Sequence, residues 1–81
     1  MVSKSNHWIE KGKQIEREFS FKNFVEAMRF VSQVAEIAEA VNHHPDILIQ
    51  YNKVKIMSWS HDVNGLSDRD YKLAAKIDAI I

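Results

Sequence analysis

The sequence predicts an α+β fold in which an antiparallel four-stranded sheet carries helices packed on one face, in the order β-β-α-β-β-α. Three observations predict it: an alternating apolar pattern at residues 14–21, helical periodicity after Lys22, and two β-rich runs that flank a short polar turn after Pro45. Because the strands come in pairs with no β-α-β crossover, the sheet is expected to be antiparallel.

The composition argues against a multidomain, disulfide-linked, secreted or membrane-spanning protein. With 81 residues, 46% of them hydrophobic, the chain fits a single domain spanning residues 1–81. Eleven basic residues balance eleven acidic ones, so no long-range attraction to nucleic acid or to an anionic membrane is expected. There is no cysteine for a disulfide or a thiolate-bound metal, and no apolar run like a secretory signal or a membrane span. We therefore expect a soluble, cytoplasmic protein.

Two strands open the fold. At residues 14–21, apolar and polar side chains alternate with the period of a half-buried strand, and Arg17 interrupts the apolar side. Trp8 and Ile9 indicate a short preceding strand, which the Lys-Gly-Lys sequence at residues 11–13 joins to the second one.

A long helix follows from Lys22 to about Asn42. Asn23 followed by Glu26 resembles a capping box, and Ser20 is an alternative cap. Polar residues recur at spacings of three and four. The opposite, apolar side is expected to consist of Phe24, Met28, Val31, Ala35 and Ala38.

Two β-rich runs, at residues 47–51 and 54–60, predict a hairpin whose turn is Asn52-Lys53, because asparagine tolerates a positive φ. This turn would pair Tyr51 with Val54 and place Asp46 opposite Trp59. The side facing the helices is expected to carry Ile47, Ile49, Tyr51, Val54 and Ile56. The other face would carry His44, Leu48, Met57, Trp59 and His61, a mixed polar and apolar surface suited to a flat heterocycle or a subunit contact.

The chain closes with a loop at residues 62–65 and a second helix. Ser67 and Asp70 have the spacing of a capping box at its start.

Histidines and a carboxylate could form an acid–base site. The expected hairpin places His44 opposite His61. Glu39 lies four residues before His43, a helical spacing that would bring the carboxylate near the imidazole and orient it. Imidazole, with an ordinary pKa of about 6.5, both donates and accepts protons near neutral pH.

Simpler roles remain open for the same residues. A histidine pair after a helix commonly interacts with the helix dipole. Glu39 can be a surface carboxylate, Asp70 only a cap, and Trp59 and Met57 packing residues. Zinc binding by three histidines and a carboxylate is a further alternative, although their spacing is not a usual metal pattern.

Taken together, these residues resemble the signature of the pterin-4a-carbinolamine dehydratase family. The matching positions, in order, are Glu39, His43, His44, Pro45, Tyr51, His61 and Asp70. The flanking sequences Tyr-Asn-Lys-Val at residues 51–54 and Gly-Leu-Ser at residues 65–67 are also similar to the family. Weaker similarity extends upstream to about Trp8.

The resemblance implies that water is removed from a 4a-hydroxytetrahydropterin to give the quinonoid dihydropterin in tetrahydrobiopterin recycling. It implies no metal and no organic cofactor. His43, His44 and His61 correspond to the family's active-site histidines, and Glu39 to the acidic residue that assists them. We assign the general acid and base steps to His43 and His61. The residues expected to contact the pterin are His44, Asp46, Trp59 and Asp70.

The resemblance also implies partners. Members of the family are typically dimers or tetramers, and in animals one binds a transcription factor as a dimerisation cofactor. A non-catalytic protein-interaction module is therefore the second hypothesis. The three histidines favour the enzyme, because a scaffold has no chemical need for them.

The sequence departs from the family pattern at two points. Relatives usually have a helix before the first strand, whereas seven residues precede Trp8 here. An aromatic residue often follows the acidic residue after the proline, whereas Asp46 is followed by Ile47, which puts a detail of substrate stacking in question.

Overall fold

The computed structural model describes residues 7–81 and has the predicted α+β fold. Its strands are β1 (Ile9–Lys11), β2 (Gln14–Ser20), β3 (Asp46–Gln50) and β4 (Lys53–Ser58), and its helices are α1 (Phe24–Val41) and α2 (Asp68–Asp78). The sheet order is β1-β2-β4-β3, and every neighbouring pair is antiparallel. No helix in residues 7–81 is long and apolar enough to cross a bilayer. The start of the chain, where no secretory signal is expected, includes residues 1–6, which lie outside the described residues.

The first hairpin follows the predicted pattern. Gly12 adopts a φ of +60° in the turn between β1 and β2, a conformation that glycine reaches without steric cost. Ile15 and Phe19 on β2 are 2% and 4% exposed and face the core. Arg17 lies between them on the same face, which explains the interruption in the apolar pattern.

An ion pair allows Arg17 to occupy this position. Its Nη1 donates to Oδ1 of Asp78 at 2.6 Å, and Nε1 of Trp8 donates to the same oxygen at 2.9 Å. The guanidinium also lies 4.5 Å from the centre of the Phe19 ring. The Asp78 side chain is only 6% exposed, so this contact ties the end of α2 to β2 in a largely dry environment.

Replacing Asp78 by alanine is expected to lower the free energy of unfolding by about 3 kcal/mol, because it leaves a partly buried guanidinium without its counter-charge. Urea unfolding followed by circular dichroism measures the change. Asp68→Ala, at an exposed position at the start of α2, is the control and should change stability much less. Equal unfolding midpoints for the two variants would contradict the prediction.

Helix α1 is capped by Asn23, and its buried side shares only Ala38 with the predicted one. The side chain of Asn23 accepts a hydrogen bond from the backbone of Glu26 at 2.9 Å, so Asn23 rather than Ser20 is the cap. Phe24 is 49% exposed, and the residues that are buried are Ala27, Phe30, Val34 and Ala38. The helix is apolar on more than one side, so its periodicity alone does not identify the side that faces the sheet. Packing of Phe30 against Phe19 at 4.7 Å between ring centres selects it.

The second hairpin turns one residue earlier than predicted. Gln50 lies opposite Lys53, so the turn residues are Tyr51 and Asn52, and Tyr51 has the positive φ of 52°. The reason is a contact with Phe21, the residue that follows β2. The Asn52 side chain donates to the carbonyl of Phe21 at 2.9 Å, and the Phe21 N–H donates to the Asn52 carbonyl at 2.8 Å. Tyr51, predicted to face the core, is 65% exposed instead.

This turn shifts every predicted pair of the hairpin by two residues. Asp46 lies opposite Met57, not opposite Trp59. The predicted pairing of His44 with His61 is also wrong, because β3 begins at Asp46 and β4 ends at Ser58. Any proximity of the two histidines must therefore arise from the loops beyond the strands.

The core face survives the shift, because side chains alternate with a period of two. Val54 and Ile56 are fully buried, and Ile47 packs against them from β3. The central cluster combines both helices with β2 and β4 and contains Phe19, Ala27, Phe30, Val34, Val54, Ile56, Leu73 and Ile77.

Candidate active site

The end of α1 sets the direction in which the adjacent histidines leave the helix. Asn42 adopts the left-handed conformation, with φ 55° and ψ 44°. Its N–H donates to the Glu39 carbonyl at 3.3 Å, and the N–H of His43 donates to the Ala38 carbonyl at 3.1 Å, which is the Schellman pattern. Helical geometry thus ends before His43. The predicted contact of Glu39 with His43 is wrong, and Oε2 of Glu39 instead lies 2.6 Å from Nε2 of His44.

His43 is held by a buried carboxylate. Its Nε2 lies 2.7 Å from Oδ1 of Asp70, which is 0% exposed. Asp70 also accepts hydrogen bonds from the hydroxyls of Ser58 and Ser60, at 2.5 and 2.8 Å, and from the N–H of Ser67 at 3.0 Å. The same carboxylate therefore caps α2, as predicted, and orients the His43 ring.

These hydrogen bonds decide the protonation of the pair. Burial by itself raises the pKa of Asp70, but the donors Ser58, His43, Ser60 and Ser67 together outweigh it, so the pKa lies below the ordinary value. An ionised carboxylate only accepts hydrogen bonds. Nε2 of His43 must therefore carry a proton and donate to Asp70. Nδ1 is the ring nitrogen that Asp70 leaves without a hydrogen bond among residues 7–81.

The lowered pKa of Asp70 gives a pH dependence to folding. A carboxyl whose folded pKa lies below its unfolded pKa, about 3.9, stabilises the fold fully above that value and loses the contribution as the pH falls through the folded pKa. We expect the free energy of unfolding of the wild-type protein to fall more steeply below about pH 4 than that of Asp70→Asn. Urea unfolding between pH 6 and pH 2.5 measures both slopes. Parallel slopes would contradict the assignment.

A second segment brings His61 to the same place. Residues His61–Val63 form a short 3₁₀ helix, and its base is closed by backbone hydrogen bonds between Ser60 and Gly65 at 2.7 and 3.2 Å. The His61 imidazole stacks on the indole of Trp59, with ring centres 3.9 Å apart and an interplanar angle of 26°. The indole thereby defines the plane of the imidazole.

The two segments enclose an open cleft of about 420 Å³, within the range of small-molecule sites. All three predicted histidines and Trp59 line it, although His44 and His61 are not paired across strands. The complete lining is Asn42, His43, His44, Trp59, His61, Asp62 and Arg69.

Three other predicted residues do not line the cleft. Asp70 lies behind His43 with both oxygens bonded to protein donors. Glu39 is 79% exposed and reaches the cleft only through its contact with His44. Asp46 is exposed on β3.

Sequence reasoning missed Asn42, Asp62 and Arg69 as lining residues. Nη2 of Arg69 donates to Oδ1 of Asp62 at 2.6 Å, and this hydrogen bond lowers the pKa of Asp62. The spacing of seven residues between them gave no helical or strand signal, because the loop and the start of α2 intervene. The only local signal was that Arg69 lies two residues after the predicted cap Ser67.

The alternative of a metal site receives no support from the geometry. Among residues 7–81, no group of three or more His, Asp or Glu side chains is arranged to hold an ion. His43 and His44 each use one ring nitrogen to contact a carboxylate, that of Asp70 and that of Glu39 respectively.

Sequence comparison identifies relatives along nearly the whole chain. The family model described as pterin 4 alpha carbinolamine dehydratase matches residues 1–80. A provisionally named pterin-4-alpha-carbinolamine dehydratase of Saccharolobus solfataricus is 46% identical over 79 residues, covering 95% of this chain and 81% of the relative. One of Koribacter versatilis, also provisionally named, is 48% identical over 73 residues, covering 90% and 78%.

Solved structures share the fold. The crystal structure of a transcriptional coactivator/pterin dehydratase from Brucella melitensis superimposes with a TM-score of 0.85 at 34% identity, covering 99% of this chain and 90% of that one. A pterin dehydratase-like protein described as a RuBisCO assembly factor in the α-carboxysome gives 0.76 at 24% identity, covering 89% and 86%, which is a likeness of fold alone. From its sequence and its fold, this chain belongs to the pterin 4 alpha carbinolamine dehydratase family.

Proposed function

We propose that the protein is a hydro-lyase that removes water from a 4a-hydroxytetrahydropterin to give the quinonoid dihydropterin. The observation that carries the proposal is the meeting of His43, His44 and His61 in one cleft, with His43 fixed by the buried carboxylate of Asp70. Membership in the family supports the choice of substrate.

Dehydration needs one proton delivered and one removed. The bond between C4a and its hydroxyl oxygen breaks as an imidazolium protonates that oxygen, and a neutral imidazole accepts the proton that a pterin ring nitrogen releases. The products are water and the quinonoid dihydropterin, and the two imidazoles recover their starting states through solvent. No electron transfer is required.

The contacts of each histidine suggest how the work is divided. His43 presents Nδ1 as its free nitrogen, because Asp70 occupies Nε2, so we assign it the role of proton acceptor. His61 is assigned the role of proton donor to the leaving hydroxyl. Its ring is held by Trp59, whose indole also offers a flat surface for a heterocycle. His44 is 56% exposed at the cleft and is assigned to binding the pterin, with Glu39 orienting it.

The cellular setting follows from the same proposal. A 4a-hydroxytetrahydropterin is the product left after aromatic hydroxylation, so the activity would serve tetrahydrobiopterin recycling. A dimer or tetramer, a cytoplasmic location and the absence of direct nucleic-acid binding stay predictions from the sequence.

The rival proposal is a non-catalytic interaction module. Exposed apolar side chains at the start of α1 favour it, since Phe24 and Val25 are 49% and 57% exposed. The similar protein from Brucella melitensis is itself described as a transcriptional coactivator as well as a pterin dehydratase. The anchored imidazole of His43 favours the enzyme, because capping α2 does not require Asp70 to hold a histidine at the cleft.

A turnover assay separates the two. The carbinolamine is generated in situ by a hydroxylase, and its loss is followed with and without the purified protein. The enzyme predicts loss that is faster than the spontaneous reaction and proportional to protein concentration. A rate equal to the spontaneous one, from protein shown to be folded by circular dichroism, would reject the enzyme and favour the module.

A further inference from the structure

We infer that Asp62 and Arg69 form a positioning pair that fixes the His61 imidazole relative to His43. The inference rests on the proposed function, because it concerns residues that serve the same acid–base site. It assigns the ion pair a role in the geometry of the cleft rather than in the stability of the fold.

The pair closes the outer end of the loop that carries His61. The loop is fixed at its base by the backbone hydrogen bonds between Ser60 and Gly65. The ion pair adds a second attachment, since Asp62 follows His61 directly in the short 3₁₀ helix and binds Arg69 in the first turn of α2. Two attachments restrict the loop where one would leave it free to pivot.

Arg69 in turn leads to the anchor of His43. Its Nε donates to the hydroxyl of Ser67 at 3.2 Å, and the Ser67 N–H donates to Asp70 at 3.0 Å. Asp70 holds His43 at 2.7 Å. A continuous set of hydrogen bonds therefore joins the loop of one catalytic imidazole to the carboxylate that orients the other.

The solvent exposure of Asp62 and Arg69 indicates that the ion pair contributes little to the stability of the fold. The side chains of Asp62 and Arg69 are 63% and 46% exposed. Exposed ion pairs contribute little to global stability because solvent screens them. A small displacement of a reacting group, in contrast, lowers the rate strongly.

The test compares Asp62→Asn, Arg69→Gln and the double variant, with Asp68→Asn as the matched control. Asp68 is exposed, adjacent to Arg69 and outside the cleft lining. We expect each single variant to lower kcat for carbinolamine dehydration roughly tenfold, with KM changed less than about twofold. The double variant should lose no more than either single one, because both break the same contact. Thermal midpoints should stay within about 3 °C of the wild type, and Asp68→Asn should match the wild type.

A second measurement does not depend on turnover. Proton NOEs between the His61 imidazole and the Trp59 indole report the stack in which the ring centres lie 3.9 Å apart. They should weaken in Asp62→Asn and Arg69→Gln and persist in Asp68→Asn. A wild-type protein without turnover would reject the proposed function, and the NOEs would still decide whether the pair holds His61.

Two results would overturn the inference. One is unchanged NOEs and unchanged kcat in Asp62→Asn. The other is a raised KM in Arg69→Gln with no effect of Asp62→Asn, which would show that Arg69 contacts the substrate itself.

Discussion

Replacing His43 or His61 by glutamine is expected to lower kcat for carbinolamine dehydration by about a hundredfold or more. General acid and base groups typically contribute roughly 10² to 10⁴ in rate. Glutamine can place an amide nitrogen near the position of Nε2, so His43→Gln can keep the contact with Asp70 while losing proton transfer at Nδ1. The double variant is expected to approach the spontaneous rate.

Stopped-flow measurement with generated carbinolamine gives kcat and KM for each variant. His7→Gln is the matched control, because His7 is exposed and does not line the cleft, and its rate should equal that of the wild type. His44→Gln should raise KM more than it lowers kcat, in line with a binding role. Full activity in folded His43→Gln and His61→Gln would remove both from the mechanism.

Replacing Asp70 by alanine is expected to lower the free energy of unfolding by about 3–5 kcal/mol, at least as much as Asp78→Ala. The carboxylate is fully buried and accepts from His43, Ser58, Ser60 and Ser67. Its removal leaves the serine hydroxyls and the N-terminus of α2 without their acceptor and opens a polar cavity.

Asp70→Asn keeps the volume and separates the effect on folding from the effect on catalysis. The asparagine amide has one acceptor oxygen where the carboxylate has two. Its amino group therefore lies opposite a hydrogen-bond donor that a carboxylate oxygen accepts from in the wild type. We expect Asp70→Asn to remain folded at 20 °C and to lower kcat, because the His43 ring loses its fixed orientation. Urea unfolding and the turnover assay measure the two effects. A loss smaller than about 1 kcal/mol in Asp70→Ala, the cost of an ordinary helix cap, would show that the carboxylate is only a cap.

The alternation of apolar and polar residues in the second hairpin predicts its core face but not its register. Turns at residues 51–52 and 52–53 give registers that differ by two residues, and both put Val54 and Ile56 on the core face. What distinguishes them is the pair of hydrogen bonds between Asn52 and Phe21, a residue that lies 31 positions away. The sequence of the hairpin alone therefore cannot predict which of the two turns forms.

Helix α1 shows the same limit for packing. Its end near Asn42 was predicted, and Asn23 was one of two predicted caps, with Ser20 as the other. Its buried side was predicted only at Ala38, since Phe24 and Phe30 are equally apolar and contacts with Phe19 and Phe21 decide that Phe30 is buried.

The sequence by itself determined the order of the elements, the cap of α2, the core face of the sheet and the family, because periodicity, cap residues and motif spacing are properties of short segments. Tertiary structure decided the partner of His43. The left-handed turn at Asn42 ends the helical spacing that would join Glu39 to His43, and the capping box at the start of α2 delivers Asp70 in its place. A side chain can meet such a partner only after two distant segments have packed together.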